Sequence, residues 1–298
     1  MSASGTWGCL GVPIDSVGSP DGGPPFGTES SPAELRARGI AGRLSAADHG
    51  DAHVRVTGPR RDPVSGIVGW PSVGSMTARV RAATGGIIAG GERPFLLGGC
   101  CALVMGAVAG AKDQFGSVGL VNVDGHLDMY DNKTSPTGEA ADMPVAALLG
   151  LGWQALLAEL GPEPVLTGSQ VALLGARDAD EARDVGDLPQ RLGVTVAGGA
   201  ACVASPGPVA AEVISAFAAA DLPYWLHLDV DVLSEEAFPA TDYLMPDGLD
   251  LVQLTALLSP FGGDDGLIGF SVGCYNPSKD SGGRYGDALA DVLVSAFG

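Results

Sequence analysis

Five short stretches, residues 95–97, 118–123, 170–174, 224–230 and 267–272, are apolar at most positions and do not alternate apolar with polar. A strand with one face in water alternates, so a near-continuous apolar run marks a parallel strand covered on both faces. Between these runs lie Ala-rich segments of helical length, at 77–89, 102–112, 145–160, 209–220, 251–258 and 287–297. Strand alternating with helix predicts an α/β sandwich around a mostly parallel sheet. Ser31-Pro32-Ala33-Glu34 predicts a capped helix start, with Ser as N-cap, Pro at the first position and Glu closing a capping box; Gly39 is the expected stop. Two Gly/Pro-rich stretches, 18–27 and 60–75, read as ordered surface loops. No repeat or linker-like shift in composition divides the chain, so residues 1–298 are expected to form one domain.

Composition narrows the function classes. Lys and Arg number 16 against 35 Asp and Glu, a net charge of −19. Nucleic acid and anionic membrane both need clustered basic residues, so neither is an expected partner. Hydrophobic residues at 46% exclude a disordered chain. Five cysteines are too few, and odd in number, for a disulfide scaffold, which predicts a reducing cytoplasm. The first twelve residues carry no basic segment or long apolar core, so no signal peptide is expected. The stretch 209–226 is broken by Glu212, Asp221 and Pro223, so no membrane span is expected.

Ligands of parallel sheets bind beyond the carboxyl ends of the strands. Two acidic clusters fall there: Asp124-Gly125-His126-Leu127-Asp128 after the second run, and Asp229-Val230-Asp231 at the end of the fourth. If the chain stays extended, residues 124, 126 and 128 share one side, as do 229 and 231. Buried carboxylates repel one another and lose hydration unless neutralised. A divalent cation neutralises them, and oxygen ligands with one imidazole suit Mn²⁺. Two clusters sharing carboxylates would hold a metal pair that generates hydroxide at neutral pH. The plainer alternative is that these Asp residues cap turns and helices.

These motifs resemble the ureohydrolase family of arginase, agmatinase and formiminoglutamase. The family's Gly-Gly-x-His turn corresponds to Gly98-Gly99-Cys100-Cys101, its Asp-x-His-x-Asp to residues 124–128, and its Asp-x-Asp to residues 229–231. Ser31-Pro32-Ala33-Glu34-Leu35-Arg36, Gly175-Ala176-Arg177-Asp178 and Asn276-Pro277 are similar to further family segments. The resemblance implies a three-layer α/β/α fold, a small-molecule substrate and a homo-oligomer. It also implies two divalent metal ions, Mn²⁺ first. One ion would be held by Cys101, Asp124, Asp128 and Asp229; the other by Asp124, His126, Asp229 and Asp231. A hydroxide held between the ions and oriented by Asp128 would attack an amidino-type carbon.

Three departures from the family pattern bear on the chemistry. Cys101 stands where the family has a metal-binding His. A thiolate is softer than imidazole and admits Zn²⁺, Fe²⁺ or Ni²⁺; the alternatives are a weak site or a buried thiol that only packs, as Cys100 beside it is expected to. Cys274 stands where the family has the Glu that binds guanidinium, and a thiol cannot supply its charge. Loss of a charged hydrogen bond costs about 1.5–3 kcal/mol. The loop 134–144 carries Thr137, Glu139 and Ala141 and lacks the family's proton-transferring His. Glu139 and Asp142 could take over the proton, although Asp142 before Pro144 reads first as a helix N-cap. Tyr130, Glu139 and Asp180 are expected at the rim. His49 and His53 read as surface residues of a polar loop, and His227 as a core residue or one placed behind the metals. The expectation is a hydrolase of linear, non-peptide C–N bonds in an amidino, hydroxyguanidino or amide-like group, and not a standard arginase. The alternative is a non-catalytic binding protein or partner subunit with the same fold.

Overall fold

The computed structural model describes residues 5–15, 27–54, 60–178, 182 and 184–298. Asp180 and all but the last residue of the loop 18–27 lie outside them. Among the described residues, eight strands form one sheet: β1 Trp7–Val12, β2 Ala47–Asp51, β3 Arg93–Gly98, β4 Gly119–Val123, β5 Val171–Leu174, β6 Thr195–Ala197, β7 Tyr224–Asp229 and β8 Leu267–Gly273. Their order is β2-β1-β3-β8-β7-β4-β5-β6, and every pairing is parallel. Helices Ser72–Ala89 and Leu103–Phe115 pack together, and Pro206–Ala219, Leu251–Gly262 and Arg284–Phe297 pack in a second row. Right-handed crossovers put these two rows on opposite faces, which completes a three-layer α/β/α sandwich. Residues of β3, β4, β5, β7 and β8 are buried on both faces, as continuous apolar runs require.

Several boundaries differ from the sequence expectation. β1 lies in a stretch without a clear strand pattern. β2 is exposed at all five positions and so has no apolar signature. It includes His49, whose Nε2 lies 2.6 Å from Glu92 Oε2, so that residue belongs to an edge strand and not to a loop. β6 is a short opposite edge. The expected helix 145–160 is two helices, Pro144–Leu148 and Gln154–Leu160. Gly150 and Gly152 between them adopt φ of 82° and 136°, which a right-handed helix cannot continue. The stretch 60–75 is not a surface loop throughout: Ile67 and Val68 are buried and the helix starts at Ser72. The capping box at Ser31 does not form, because a 3-10 turn, Thr28–Ser30, precedes the helix and Ser31 is already its first residue. Gly39 does end that helix, at φ 72°.

The strand order positions the site. β3 and β4 are consecutive in the chain but are separated in the sheet by β8 and β7. After β2 the chain crosses the sheet in one direction through β3, β4, β5 and β6, then turns back to insert β7 and β8 between β3 and β4, and a crevice opens at the strand ends where strands of opposite crossover direction adjoin. The four adjacent strands β3, β8, β7 and β4 all end there.

Candidate active site

Each central strand delivers polar residues to this crevice. β3 ends at Gly98 and leads through Gly99 and Cys100 to Cys101. A Cβ on Gly99 would lie 1.6 Å from the Ile14 carbonyl oxygen, so the turn admits only glycine. β4 leads to Asp124, whose Oδ1 accepts from the His126 backbone N–H at 2.7 Å. This local bond bends the chain, and Asp128 then takes φ 53°. Residues 124, 126 and 128 therefore do not share one extended side, contrary to the expectation. β7 ends at Asp229, whose Oδ1 accepts from the Asp231 N–H at 2.8 Å as Val230–Val232 turns into a 3-10 helix. β8 leads to Cys274, held at φ 64°, whose N–H donates to the Gly99 carbonyl at 2.5 Å. Left-handed backbone at two non-glycine residues is uncommon and clusters at functional sites.

Arg177, after β5, braces the acidic turn from behind. Its Nη1 donates to Val232 O at 2.9 Å and its Nη2 to Asp231 O at 2.9 Å. Asp231 Oδ1 accepts from the Gly125 N–H at 3.0 Å, which ties the two acidic motifs together. Asp178 Oδ1 accepts from the Leu127 N–H at 3.1 Å.

Among the described residues, three sets of potential ligand atoms converge: Cys101 with Asp229 and Cys274, Cys101 with Asp124 and Asp128, and Asp124 with His126 and Asp231. Cys101 and Asp124 each belong to two sets. Burial, then the neighbouring carboxylates, pushes Asp229 well above the usual carboxylate range; burial and Asp124 do the same to Asp128, and burial and Asp231 raise Asp124. Burial also works against charge on Asp231 and His126, but their mutual attraction outweighs it: Asp231 is held low and His126 high, with His126 Nδ1 3.1 Å from Asp231 Oδ2. The Cys101 thiol is raised by burial and lies 2.6 Å from Asp229 Oδ2. His227 is wholly buried, with Nδ1 2.8 Å from Ser271 Oγ and Nε2 3.0 Å from Cys101 Sγ. It is thus both a hydrogen-bonded core residue and a contact of a candidate ligand. Asp128 Oδ2 is buried with no hydrogen-bond partner. An orphaned carboxylate oxygen amid raised carboxyls is the donor set that a cation would satisfy, so these residues fit a divalent metal pair.

Above these groups lies a pocket of about 150 Å³. It is lined by His126, Asp128, Asp229, Asp231 and Cys274 below, and by Tyr130, Thr137, Glu139, Ala141 and Asp142 on the wall. The expected rim residues other than Asp180 are therefore present. Thr28, Thr241, Asp242 and Tyr243 also line it, and no sequence signal marked them. Tyr243 donates to Glu139 Oε2 in a short bond. Asp242 Oδ1 is 2.7 Å from Lys279 Nζ and accepts from Asn276 Nδ2 at 2.8 Å. Asp142 is not an N-cap: it closes the 3-10 turn Ala140–Asp142, and Met143 occupies the cap position. Its Oδ2 accepts from Ser135 Oγ at 2.7 Å, and burial pushes it up to about 7. Buried oxygens without a partner converge here too: Thr28 Oγ1, Thr241 Oγ1, Asp142 Oδ1 and Asp242 Oδ2, besides Asp128 Oδ2.

Known proteins are similar to this chain in sequence and fold. The chain is 29% identical over 233 residues to an N(omega)-hydroxy-L-arginine amidinohydrolase of Streptomyces lavendulae, covering 77% of this chain and 78% of that protein. It is 28% identical over 193 residues to an arginase of Brevibacillus brevis, covering 63% of this chain and 62% of that protein, slightly under two thirds of its length. The fold superimposes on the arginase structure from Bacillus caldovelox with a TM-score of 0.88 at 23% identity, covering 100% of this chain and 99% of that one. The family described as "Arginase family" matches residues 6–298, and the chain therefore belongs to the arginase family.

Proposed function

We propose that this chain hydrolyses a linear, non-peptide C–N bond in an amidino-type group, with a hydroxyguanidino or similarly weakly basic group preferred to the guanidinium of plain arginine. The observation that carries this reading is the convergence of candidate metal ligands beneath one pocket, several of whose lining residues also bear partnerless buried oxygens. Such acceptors call for a ligand rich in N–H or O–H donors. Cys274 offers no carboxylate at the pocket floor to pair with a guanidinium, which disfavours a strongly basic head group. Glu139 instead supplies an acidic group on the wall, suited to a cationic amine elsewhere in the substrate. The name of the Streptomyces lavendulae relative agrees with this substrate class.

Cys101, Asp124, Asp128 and Asp229 would hold one ion, and Asp124, His126, Asp229 and Asp231 the other. When bound, the metal pair supplies Lewis acidity and an activated water at neutral pH. Asp128, with its unpartnered Oδ2, would orient that water and take its proton. Asp142, which lines the pocket, would give a proton to the departing amine, since its pKa of about 7 leaves a substantial acid fraction at neutral pH. The test is a panel of guanidines, hydroxyguanidines, amidines and formamides scored for amine release, with Mn²⁺, Zn²⁺, Fe²⁺ and Ni²⁺ supplied in turn. Hydroxyguanidino compounds are expected to exceed arginine in kcat/KM. Turnover of arginine at ordinary arginase efficiency overturns the substrate assignment, and no amine release from any compound leaves a binding protein.

A further inference from the structure

By resemblance Cys274 occupies the place of a substrate-binding residue, but its side chain meets the candidate metal ligand Cys101. Its Sγ lies 3.5 Å from Cys101 Sγ. Two sulfurs bound to one tetrahedral Zn²⁺ at about 2.3 Å each stand about 3.8 Å apart, close to this spacing. Both side chains are buried, and with Asp229 they form one of the three convergent ligand sets. We propose that Cys274 is a further ligand of the ion that Cys101 and Asp229 would hold, so that the β3 side of the centre carries two thiolates, Cys101 and Cys274.

The surroundings support two thiolates. Ser271 Oγ accepts from Trp225 Nε1 at 2.9 Å, which leaves its own proton for His227 Nδ1 at 2.8 Å. In the tautomer whose Nδ1 accepts from Ser271, His227 carries its proton on Nε2, 3.0 Å from Cys101 Sγ, and donates to the sulfur. His227 is thus a positioning residue that offsets thiolate charge in a buried site. Binding is balanced as one M²⁺ taken up and two thiol protons released, with the carboxylate of Asp229 completing the charge. The consequence is an asymmetric pair. The thiolate half selects Zn²⁺ or Fe²⁺, while Asp124, His126 and Asp231 form a harder half suited to Mn²⁺.

This assignment rests on the proposed metal centre, yet its test reads coordination and not turnover, so the two can fail separately. The wild-type protein, reduced with a non-thiol reductant and loaded with one equivalent of Zn²⁺, is examined by X-ray absorption. Two sulfur scatterers at about 2.3 Å are expected; one sulfur or none overturns the proposal. Loading with Co²⁺ gives a second readout, the near-ultraviolet thiolate-to-cobalt band. Its intensity is expected to fall by about half in Cys274→Ser and again by about half in Cys101→Ser. An undiminished band in Cys274→Ser overturns the proposal. Because the sulfur count comes from the wild type, a variant that fails to fold does not spare it.

Discussion

Asp142 has one oxygen bonded to Ser135 and Thr137 and the other facing no donor, and burial holds it at about 7 against about 3.9 for an ordinary Asp. A folded-state pKa above the unfolded one means that the folded protein binds more protons between those values. Stability attributable to this group is therefore present below about pH 4 and is lost as pH rises to about 7. Asp142→Asn is expected to flatten that part of the stability curve, measured as urea midpoints at pH 5 and pH 8; parallel curves for variant and wild type would refute the assignment. Glu139 is the residue most exposed to a substrate charge test. It is buried, raised by that burial, and bonded to Tyr243. Glu139→Gln keeps the shape and removes the charge, at a cost of about 1.5–3 kcal/mol for a charged hydrogen bond. In steady-state kinetics this is expected to lower kcat/KM for an amine-bearing substrate by about 10–100-fold, mostly through KM. An unchanged KM would remove Glu139 from substrate recognition.

At the level of elements, the site depends on turns as much as on strands. The wall loop carrying Thr137 and Glu139 is pinned by Arg61, which donates to the carbonyls of Gly66, Ser135 and Pro136. Arg61→Ala frees that wall without touching the candidate ligands, and a rise in KM with metal content unchanged is expected from kinetics and metal analysis. The turn after β3 is less forgiving. An alanine at Gly99 would drive its Cβ into the Ile14 carbonyl, so β1 and β3 must separate at the end that presents Cys101. Gly99→Ala is expected to lower the melting temperature by several degrees and to abolish metal retention, read by calorimetry and elemental analysis. A stable, metal-replete Gly99→Ala would show that the turn has another conformation open to it. The buried strands were legible because being covered on both faces leaves a compositional mark. The edge strands β2 and β6 were not, since backbone pairing at a sheet edge asks for no particular side chains.

Across the whole molecule, folding gathers carboxylates that must repel one another at neutral pH, and Asp124, Asp128 and Asp229 are all pushed upward by burial before their neighbours add to it. A cation bound to the folded state alone offsets this and adds about 2.7 kcal/mol when its free concentration is a hundredfold above Kd. For a chain of this size that is about 4 °C in melting temperature. Calorimetry with saturating Mn²⁺ or Zn²⁺ and again in chelator is expected to show the difference; identical traces would argue against a metal centre. The identities of the acids, and their places at the ends of apolar runs, came from sequence alone, because both the burial of parallel strands and the need for ligands leave marks in residue type. Sequence could not place Thr28, Thr241, Asp242 and Tyr243 in the pocket, nor bring Cys274 to 3.5 Å from Cys101. Those contacts join segments far apart in the chain and arise from the strand order and from two left-handed residues, Asp128 and Cys274. Local composition decides which strands form; only the assembled sheet decides which strand ends, and hence which side chains, meet.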